Sequence, residues 1–322
     1  MAKKSKQQQE KKVEEEPQVL AKGSVQQFEL AEALRKVVPF TAGEKEYRDN
    51  LKHVWFEAKD GTLELTTADG SRIAHVTLQA AWPDGQWLLD GSACKQLSYA
   101  YSQGEVAVEV YEAKIVVGQL TVPVVDTKWV EYRKVYDEVQ ANAGAMLIVA
   151  KKVLNKALKQ ATGNIVGLRV SQKEGCRLYV AKEDRREYTT ETVGHAALAV
   201  QVATGDARAA FDLDRLRKAM SHCGDSVTLK LQGEGKPALV EGTGYWHILA
   251  SLASFPKEVT FSQSERQALE WVEEMLKSIR RGEVQAVVRL NKGGMQVSWE
   301  PQPEATNIAF EQEPAPTAAA AS

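Results

Sequence analysis

The sequence predicts an α+β protein made of four repeated β-α-β-β-β units, and two observations carry that prediction. Asp-Gly pairs at 60–61 and 69–70 separate alternating apolar runs, which is the pattern of β-hairpins. A strand, an amphipathic helix and further strands then recur from residues 86, 145 and 208. The four units fall into two pairs, so the 322 residues are expected to hold two domains of two units each.

Each unit contains one helix, expected at residues 28–38, 91–102, 150–161 and 213–223. The third helix shows the clearest apolar stripe, with Leu154 and Leu158 one turn apart. The strands that precede helices two, three and four are expected at 86–90, 145–149 and 208–212. The strands that follow the helices are expected within 51–78 for the first unit and then at 105–111, 114–118, 120–125, 165–172, 176–183, 187–193, 226–232, 237–242 and 245–252.

Composition sets the domain boundaries. Residues 1–23 are rich in Lys, Gln and Glu, and residues 301–322 are rich in Pro, Ala and Glu, so both are expected to be disordered tails. Domain one is expected at 24–141, including a connector from 126, and domain two at 142–254. Residues 255–300 are expected to form a small α-β-β appendage, in which a capping box begins the helix and a hairpin turns near Asn291.

Charge and cysteine content exclude several classes of protein. The 41 basic and 43 acidic residues nearly cancel, which excludes a uniformly basic nucleic-acid coat. No apolar run is long enough to span a bilayer. The three cysteines are widely spaced, which argues against disulfides and fits a reducing cytoplasm. The histidines show no metal-ligand spacing, and no cofactor motif is present, so neither a metal nor a cofactor is expected.

One motif places a thiol, an imidazole and a carboxylate side by side, at residues 221–225 (Ser-His-Cys-Gly-Asp). Adjacent residues at a helix end do not face one another, whereas a nucleophile needs its base within hydrogen-bond reach. A helix that stops at Gly224 explains this motif better than catalysis does. The sequence therefore predicts no catalytic residues and no enzyme activity.

The helices carry a net positive charge in a chain whose formal net charge is −2, so the remainder of the chain is acidic. The third helix contributes most, because four lysines and no acid occupy its polar face. Such a surface holds phosphates without reading bases. The predicted DNA-binding residues are Arg35, Lys36, Lys95, Lys151, Lys152, Lys156, Lys159, Arg215, Arg217 and Lys218.

Residues 211–252 resemble the final half-domain of the bacterial DNA polymerase III beta subunit, the sliding clamp, and residues 51–78 are similar to its opening unit. The resemblance covers about residues 24–253 and implies the DNA clamp fold. Two departures are clear. Bacterial clamps have three domains, whereas this sequence has two, as in eukaryotic and some phage clamps. The Met-Pro-Met-Arg-Leu ending of the family is also missing.

The resemblance further implies what the protein binds. Its partners would be duplex DNA without sequence preference, a DNA polymerase, a clamp loader and copies of itself in a homotrimeric ring. Partner peptides would dock between the connector and the last strand, on Val125, Trp129, Leu249 and Leu252. The protein would act in the cytoplasm, at the nucleoid or in the host of a phage. A clamp-fold scaffold that regulates replication proteins without encircling DNA is the alternative.

Overall fold

The computed structural model describes residues 18–100, 103–159, 163–184, 189–256, 284–291 and 294–301. The chain divides into two compact units, one ending at Glu258 and the other beginning at Val259. The larger unit contains four β-α-β-β-β repeats, as the sequence predicts, and the mixed α+β class is confirmed. In the described residues, no helix has the length and apolar character that a bilayer span requires.

Domain one contains the first two repeats. The first repeat consists of β1 (Ala21–Gln26), α1 (Gln27–Val37), β2 (Val54–Lys59), β3 (Thr62–Ala68) and β4 (Arg72–Gln79), with 3-10 turns at Val38–Phe40 and Asp49–Lys52. The second repeat consists of β5 (Gly85–Leu89), α2 (Gly91–Tyr99), β6 (Glu105–Val110), β7 (Lys114–Val117) and β8 (Leu120–Pro123).

Domain two follows a helix that the sequence analysis did not foresee, α3 (Tyr132–Ala141). The third repeat consists of β9 (Ala145–Ala150), α4 (Lys151–Lys159), β10 (Ile165–Ser171), β11 (Gly175–Asp184) and β12 (Thr189–Leu198). The fourth repeat consists of β14 (Ala207–Asp212), α5 (Leu213–Ser221), β15 (Ser226–Leu231), β16 (Ala238–Gly242) and β17 (Tyr245–Leu249), and it is preceded by a short extra strand, β13 (Val202–Gly205).

The two repeats of each domain exchange their first strands. In domain one, β1 pairs with β6 of the second repeat, and β5 pairs with β2 of the first. In domain two, β14 pairs with β10, and β9 pairs with β15. Because neither repeat completes a sheet with its own strands, the two repeats of a domain must fold together.

The two domains are joined by a continuous sheet. Strands β4 and β17 pair antiparallel, with Ile73 opposite Ile248 and His75 opposite Trp246, which creates a nine-stranded sheet in the order β13-β9-β15-β16-β17-β4-β3-β2-β5. We call this pairing the seam. The remaining strands of the larger unit form two four-stranded sheets, β1-β6-β7-β8 in domain one and β12-β11-β10-β14 in domain two.

The side chains of the nine-stranded sheet point alternately to its two faces, and helices cover both faces. Along β17, Tyr245 and Leu249 belong to the main core, which the helices α1, α2, α4 and α5 cover. Trp246 and Ile248 point to the opposite face and pack against α3. The four repeat helices therefore lie on one side of the nine-stranded sheet, and α3 lies on the other.

Two boundaries differ from the sequence-based expectation. Residues 21–23, assigned to a disordered tail, are part of β1, because that strand is held by its ladder to β6. Phe255, assigned to the appendage, is buried in the larger unit against Tyr179 and Gly167. The predicted hairpin is present as β18 (Val284–Asn291) paired with β19 (Gly294–Pro301). The predicted appendage helix and most of both predicted tails lie outside the described residues.

Candidate nucleic-acid interface

Strand ends and helix starts place the basic side chains. An aspartate that follows β5 (Asp90) and the aspartate that ends β14 (Asp212) each cap the next helix. Asp90 Oδ1 accepts a hydrogen bond from Ala93 N at 2.8 Å, and Asp212 Oδ1 accepts one from Arg215 N at 2.9 Å. The corresponding helices start at the same point of each repeat, so their polar faces are presented on the same side of the sheet.

The helix α4 presents the densest positive surface. Lys152, Lys156 and Lys159 are exposed, while Leu154 and Leu158 are buried in the core beneath them. No acidic residue lies in the helix, and the three exposed lysines have no ion-pair partner within the parts of the chain that the structure describes. Three uncompensated charges on one helical face form a surface suited to phosphate groups.

Lys151 and Arg217, which were predicted to bind DNA, bond to backbone carbonyls of neighbouring helices in the structure. The Lys151 ammonium donates hydrogen bonds to the carbonyl oxygens of Ser221 at 2.7 Å and Cys223 at 2.6 Å, at the end of α5. Arg217 donates to the carbonyl oxygen of Leu158 at 2.6 Å, at the end of α4. Each helix thus supplies a cation that satisfies the free carbonyls of the other.

The other predicted residues divide in the same way. Arg35 is half-buried, and its Nε donates to the carbonyl of Ala31. Lys36 is also half-buried, whereas Lys95 and Lys218 are exposed. Arg215 is exposed and reaches the Ser71 hydroxyl at 3.3 Å. Five of the ten predicted residues are exposed lysines that hold no backbone carbonyl, and they lie on α2, α4 and α5. These residues are Lys95, Lys152, Lys156, Lys159 and Lys218.

The predicted peptide pocket is wrong in its residues. Leu249 is fully buried in the main core, so it offers no surface to a peptide. Leu252 packs in a different cluster with Phe255, whereas Val125 and Trp129 share a third cluster. The four side chains therefore do not form one site. The resemblance to clamps implied these residues, and a resemblance of this kind does not show which face of a strand each residue occupies.

A groove of about 390 Å³ does lie at the seam, beside the predicted position. Its walls come from the β3–β4 turn, the start of α3 and the end of β17, and its apolar floor includes Leu51, Ile73, Val135, Pro237 and Ile248. The second Asp-Gly turn of the sequence, at Asp69–Gly70 between β3 and β4, therefore also shapes this groove, through Gly70 at its rim.

A partly buried ion pair between Asp69 and Arg72 lies at the rim of this seam groove. Asp69 accepts hydrogen bonds from the Arg72 guanidinium and from the Ser71 amide at 3.0 Å. Burial alone favours the neutral carboxyl, yet these hydrogen bonds outweigh it and hold the pKa of Asp69 below its ordinary value. The guanidinium of Arg72 is therefore paired and fixed in orientation at the mouth of the groove.

The helix α3 is bonded to both domains. The Tyr132 hydroxyl and the Arg133 guanidinium contact Glu57 and Glu64 of domain one. Near the other end of the helix, Gln140 Nε2 donates to Glu241 Oε1 of domain two at 3.0 Å. A sequence signal for this helix was present, since Tyr132, Val135, Tyr136 and Val139 follow helical spacing.

The motif at 221–225 has the geometry of a helix end. His222 caps α5, and the Cys223 thiol points back to the Ala219 carbonyl at 3.9 Å. Burial raises the pKa of Cys223 to about 11, so this residue is a thiol at neutral pH and not a thiolate nucleophile.

Several solved structures of bacterial clamps share this architecture. The DNA polymerase III beta subunit of Thermotoga maritima aligns with 75% of this chain and 67% of its own, at a TM-score of 0.63 and 19% identity. For the sliding clamp of Bacillus subtilis the values are 76%, 68%, 0.63 and 15%, and for that of Pseudomonas aeruginosa they are 74%, 67%, 0.62 and 19%. No family model and no curated protein sequence matches this chain.

The repeats, the exchanged strands and the structural matches together define the class of fold: this chain has the DNA sliding clamp fold. The resemblance first seen at residues 211–252 and 51–78 is thereby confirmed at the level of fold. At 11–19% identity, the matches establish the architecture of the chain, and the chemistry of its site depends on its own residues.

Proposed function

We propose that this protein is a DNA sliding clamp, a non-enzymatic processivity factor that encircles duplex DNA and tethers a polymerase to it. The observation that carries the proposal is the exposed lysine face of α4, on the layer of helices that faces the DNA in this fold. Lys152, Lys156 and Lys159 supply positive charge there without neighbouring acids in the helix. Such contacts attract the phosphate backbone irrespective of sequence.

The seam supports a specific mode of ring closure. Within the chain, the last strand of the first repeat (β4) pairs with the last strand of the fourth (β17). The last strands of the second and third repeats, β8 and β12, each stand at the edge of a four-stranded sheet. Pairing β8 of one subunit with β12 of the next would repeat the seam between subunits and cover both edges.

This mode of closure replaces the edges predicted from the sequence. Residues 114–118 and 176–182 were expected to meet between subunits, but the structure places the strands β7 and β11 in the interior of their sheets. Each of these strands already has a partner on both sides, so neither is available to a neighbouring subunit. The correction moves each contact by one strand outwards.

The size of the hole sets the number of subunits. Helices that pack about 8–10 Å apart give a circumference of roughly 100–120 Å for twelve helices. After subtraction of a helix thickness of about 10 Å, the hole is roughly 22–28 Å across, which accepts a duplex about 20 Å wide. Eight helices would leave only roughly 10–15 Å. The four repeat helices α1, α2, α4 and α5 would line the hole, and we call them the wall helices. Four wall helices per chain favour a homotrimer, and α3 does not count because it lies on the opposite face.

The seam groove is the proposed docking site for the polymerase and the clamp loader. Its floor is apolar, so a short hydrophobic peptide would complement it, whereas the arginines at its mouth are already paired, Arg72 with Asp69 and Arg48 with Glu46. In the alternative function, a scaffold for replication proteins, this groove would serve the same purpose while the helices held no DNA. Ring formation separates the two functions.

The mass in solution tests the ring. Light scattering should give three times the 35.5 kDa of one chain. Thr121→Lys places a charge on the exposed side of the edge strand β8 and should weaken the trimer. Gln86→Lys places the same charge on β5, an edge of the nine-stranded sheet, and should leave the trimer intact. A stable monomer or dimer for the unsubstituted chain would contradict the closed ring.

A further inference from the structure

A large groove lies on the wall helices of domain one, and the lysine face of α4 is not part of it. It has a volume of about 680 Å³ and runs along α2, facing the segment that follows α1. Its lining includes Lys52, His53, Ser92, Lys95 and Tyr99. A groove of this volume accommodates a ligand the size of one or two nucleotides.

The aromatic residue in this groove is unusually exposed. Tyr99 is 69% exposed, whereas the opposite face of its helix, α2, is buried. Lys95 lies one helical turn before it, so the two side chains leave the same face of α2, from backbone positions about 6 Å apart along the helix axis. A cation one turn from an exposed ring offers contacts to a phosphate and to a base at the same time.

The acidic residues near the groove are mostly engaged elsewhere. Asp90 accepts hydrogen bonds from Ala93 N at 2.8 Å and from the Ser92 hydroxyl at 2.6 Å, as the cap of α2. Asp49 pairs with Lys52 at 3.4 Å and with His53 at 3.4 Å. Lys95 has no ion pair in the described parts of the chain, which leaves its charge available to an anion.

We infer that this groove binds single-stranded DNA, with one base stacked on Tyr99 and an adjacent phosphate held by Lys95. In a duplex, the faces of the bases are covered by their neighbours, so an exposed tyrosine ring has no base face to contact. In a single strand, a base can stack on an aromatic side chain, and such stacking tolerates any sequence. The inference rests on the proposed function only for the origin of the strand, which would be the unpaired template beside a primer end.

The experiment uses the full chain and a fluorescent oligo(dT) of about fifteen nucleotides. Tyr99→Ala should weaken binding roughly tenfold, whereas Tyr99→Phe, which keeps the ring, should bind like the unsubstituted protein. Tyr47→Ala is the matched control, because Tyr47 is even more exposed, at 86%, but does not line the groove. An abasic strand of the same length should bind equally to the Tyr99→Ala variant and to the unsubstituted chain.

The outcomes separate this inference from the proposed function. Equal oligo(dT) affinity in the Tyr99→Ala variant and the unsubstituted chain would overturn the inference, even if the protein is retained on circular duplex DNA. An equal loss on oligo(dT) and on the abasic strand would also overturn it, because the contact would then be to the backbone. A Tyr99-dependent loss confined to strands with bases supports it, whatever the retention on duplex DNA.

Discussion

The two pairs of wall helices share one architecture but differ in how they are held and what they expose. In domain one, the helices α1 and α2 carry few free basic side chains, and they expose Phe28 and Tyr99. In domain two, α4 and α5 are locked by the reciprocal cations Lys151 and Arg217 and expose several lysines. The difference shows that position on a wall helix does not decide the role of a basic residue. The partner of its charged group does.

The largest expected effect comes from the free lysines of α4. Replacing Lys152, Lys156 and Lys159 with alanine should weaken duplex binding by about a hundredfold or more at low salt, because each lost phosphate contact reduces the salt slope by up to about 0.9. Titrations at several salt concentrations measure both quantities. The matched control replaces Lys45, Lys134 and Lys173, three exposed lysines away from the wall helices, and should change duplex binding little. Equal losses in both triple variants would show that only net charge matters.

The region where the two helix pairs meet should respond to pH. His222 and His247 both contact Phe40, with ring centroids at 6.2 and 4.5 Å. Burial lowers the pKa of His247 to about 3, and Arg72 adds to the effect. Burial, with Lys36 and Lys151 nearby, also lowers the pKa of His222. In the folded protein both groups stay neutral at a pH where the unfolded chain binds protons.

The sign follows from that difference. Below the ordinary histidine pKa of about 6.5, the unfolded chain gains protons that the folded chain cannot accept, so the free energy of unfolding falls as the pH falls. The loss should approach about 1.4 kcal/mol per pH unit for His247 between pH 6 and pH 4. Urea unfolding at a series of pH values measures it, and His247→Gln should reduce the slope. A slope unchanged by that substitution would show that His247 does not cause the pH dependence of stability.

A smaller effect on the free energy of unfolding is expected at Lys151 and Lys152, because the first bonds to another helix and the second is exposed. Lys151→Ala removes two charge-assisted hydrogen bonds to the end of α5 and should lower the free energy of unfolding by about 1–2 kcal/mol. Lys152→Ala removes an exposed charge and should change stability by less than about 0.5 kcal/mol. Urea unfolding of both variants decides the matter. Equal stability would show that the reciprocal contacts contribute nothing.

Local patterns in the sequence predicted what depends on local structure. The Asp60–Gly61 pair, both with positive φ, forms the expected hairpin turn, and the apolar stripe of α4 places Leu154 and Leu158 in the core. The exchange of β1 and β5 between repeats was not predicted, because strand pairing between distant segments leaves no periodic signal. For the same reason, sequence alone treated Lys151 and Lys152 as equivalent, although only the first reaches the end of α5.

The seam groove teaches the same lesson. Its rim at Gly70 comes from a turn that the sequence marks, but its floor combines Leu51, Val135 and Ile248 from distant segments. The helix α3, which forms one wall, was present in the sequence as a stripe from Tyr132 to Val139 and was passed over as a connector. None of the four residues predicted for a peptide pocket lines this groove.

The most direct test of the clamp function is retention on DNA with and without free ends. Phosphate contacts alone dissociate quickly and are screened by salt, whereas a closed ring cannot leave circular DNA without opening an interface. After loading onto a nicked circular plasmid, the protein should stay bound in high salt and should be lost rapidly once a restriction enzyme linearises that plasmid. Equal dissociation from circular and linear DNA would contradict encirclement and favour the scaffold function.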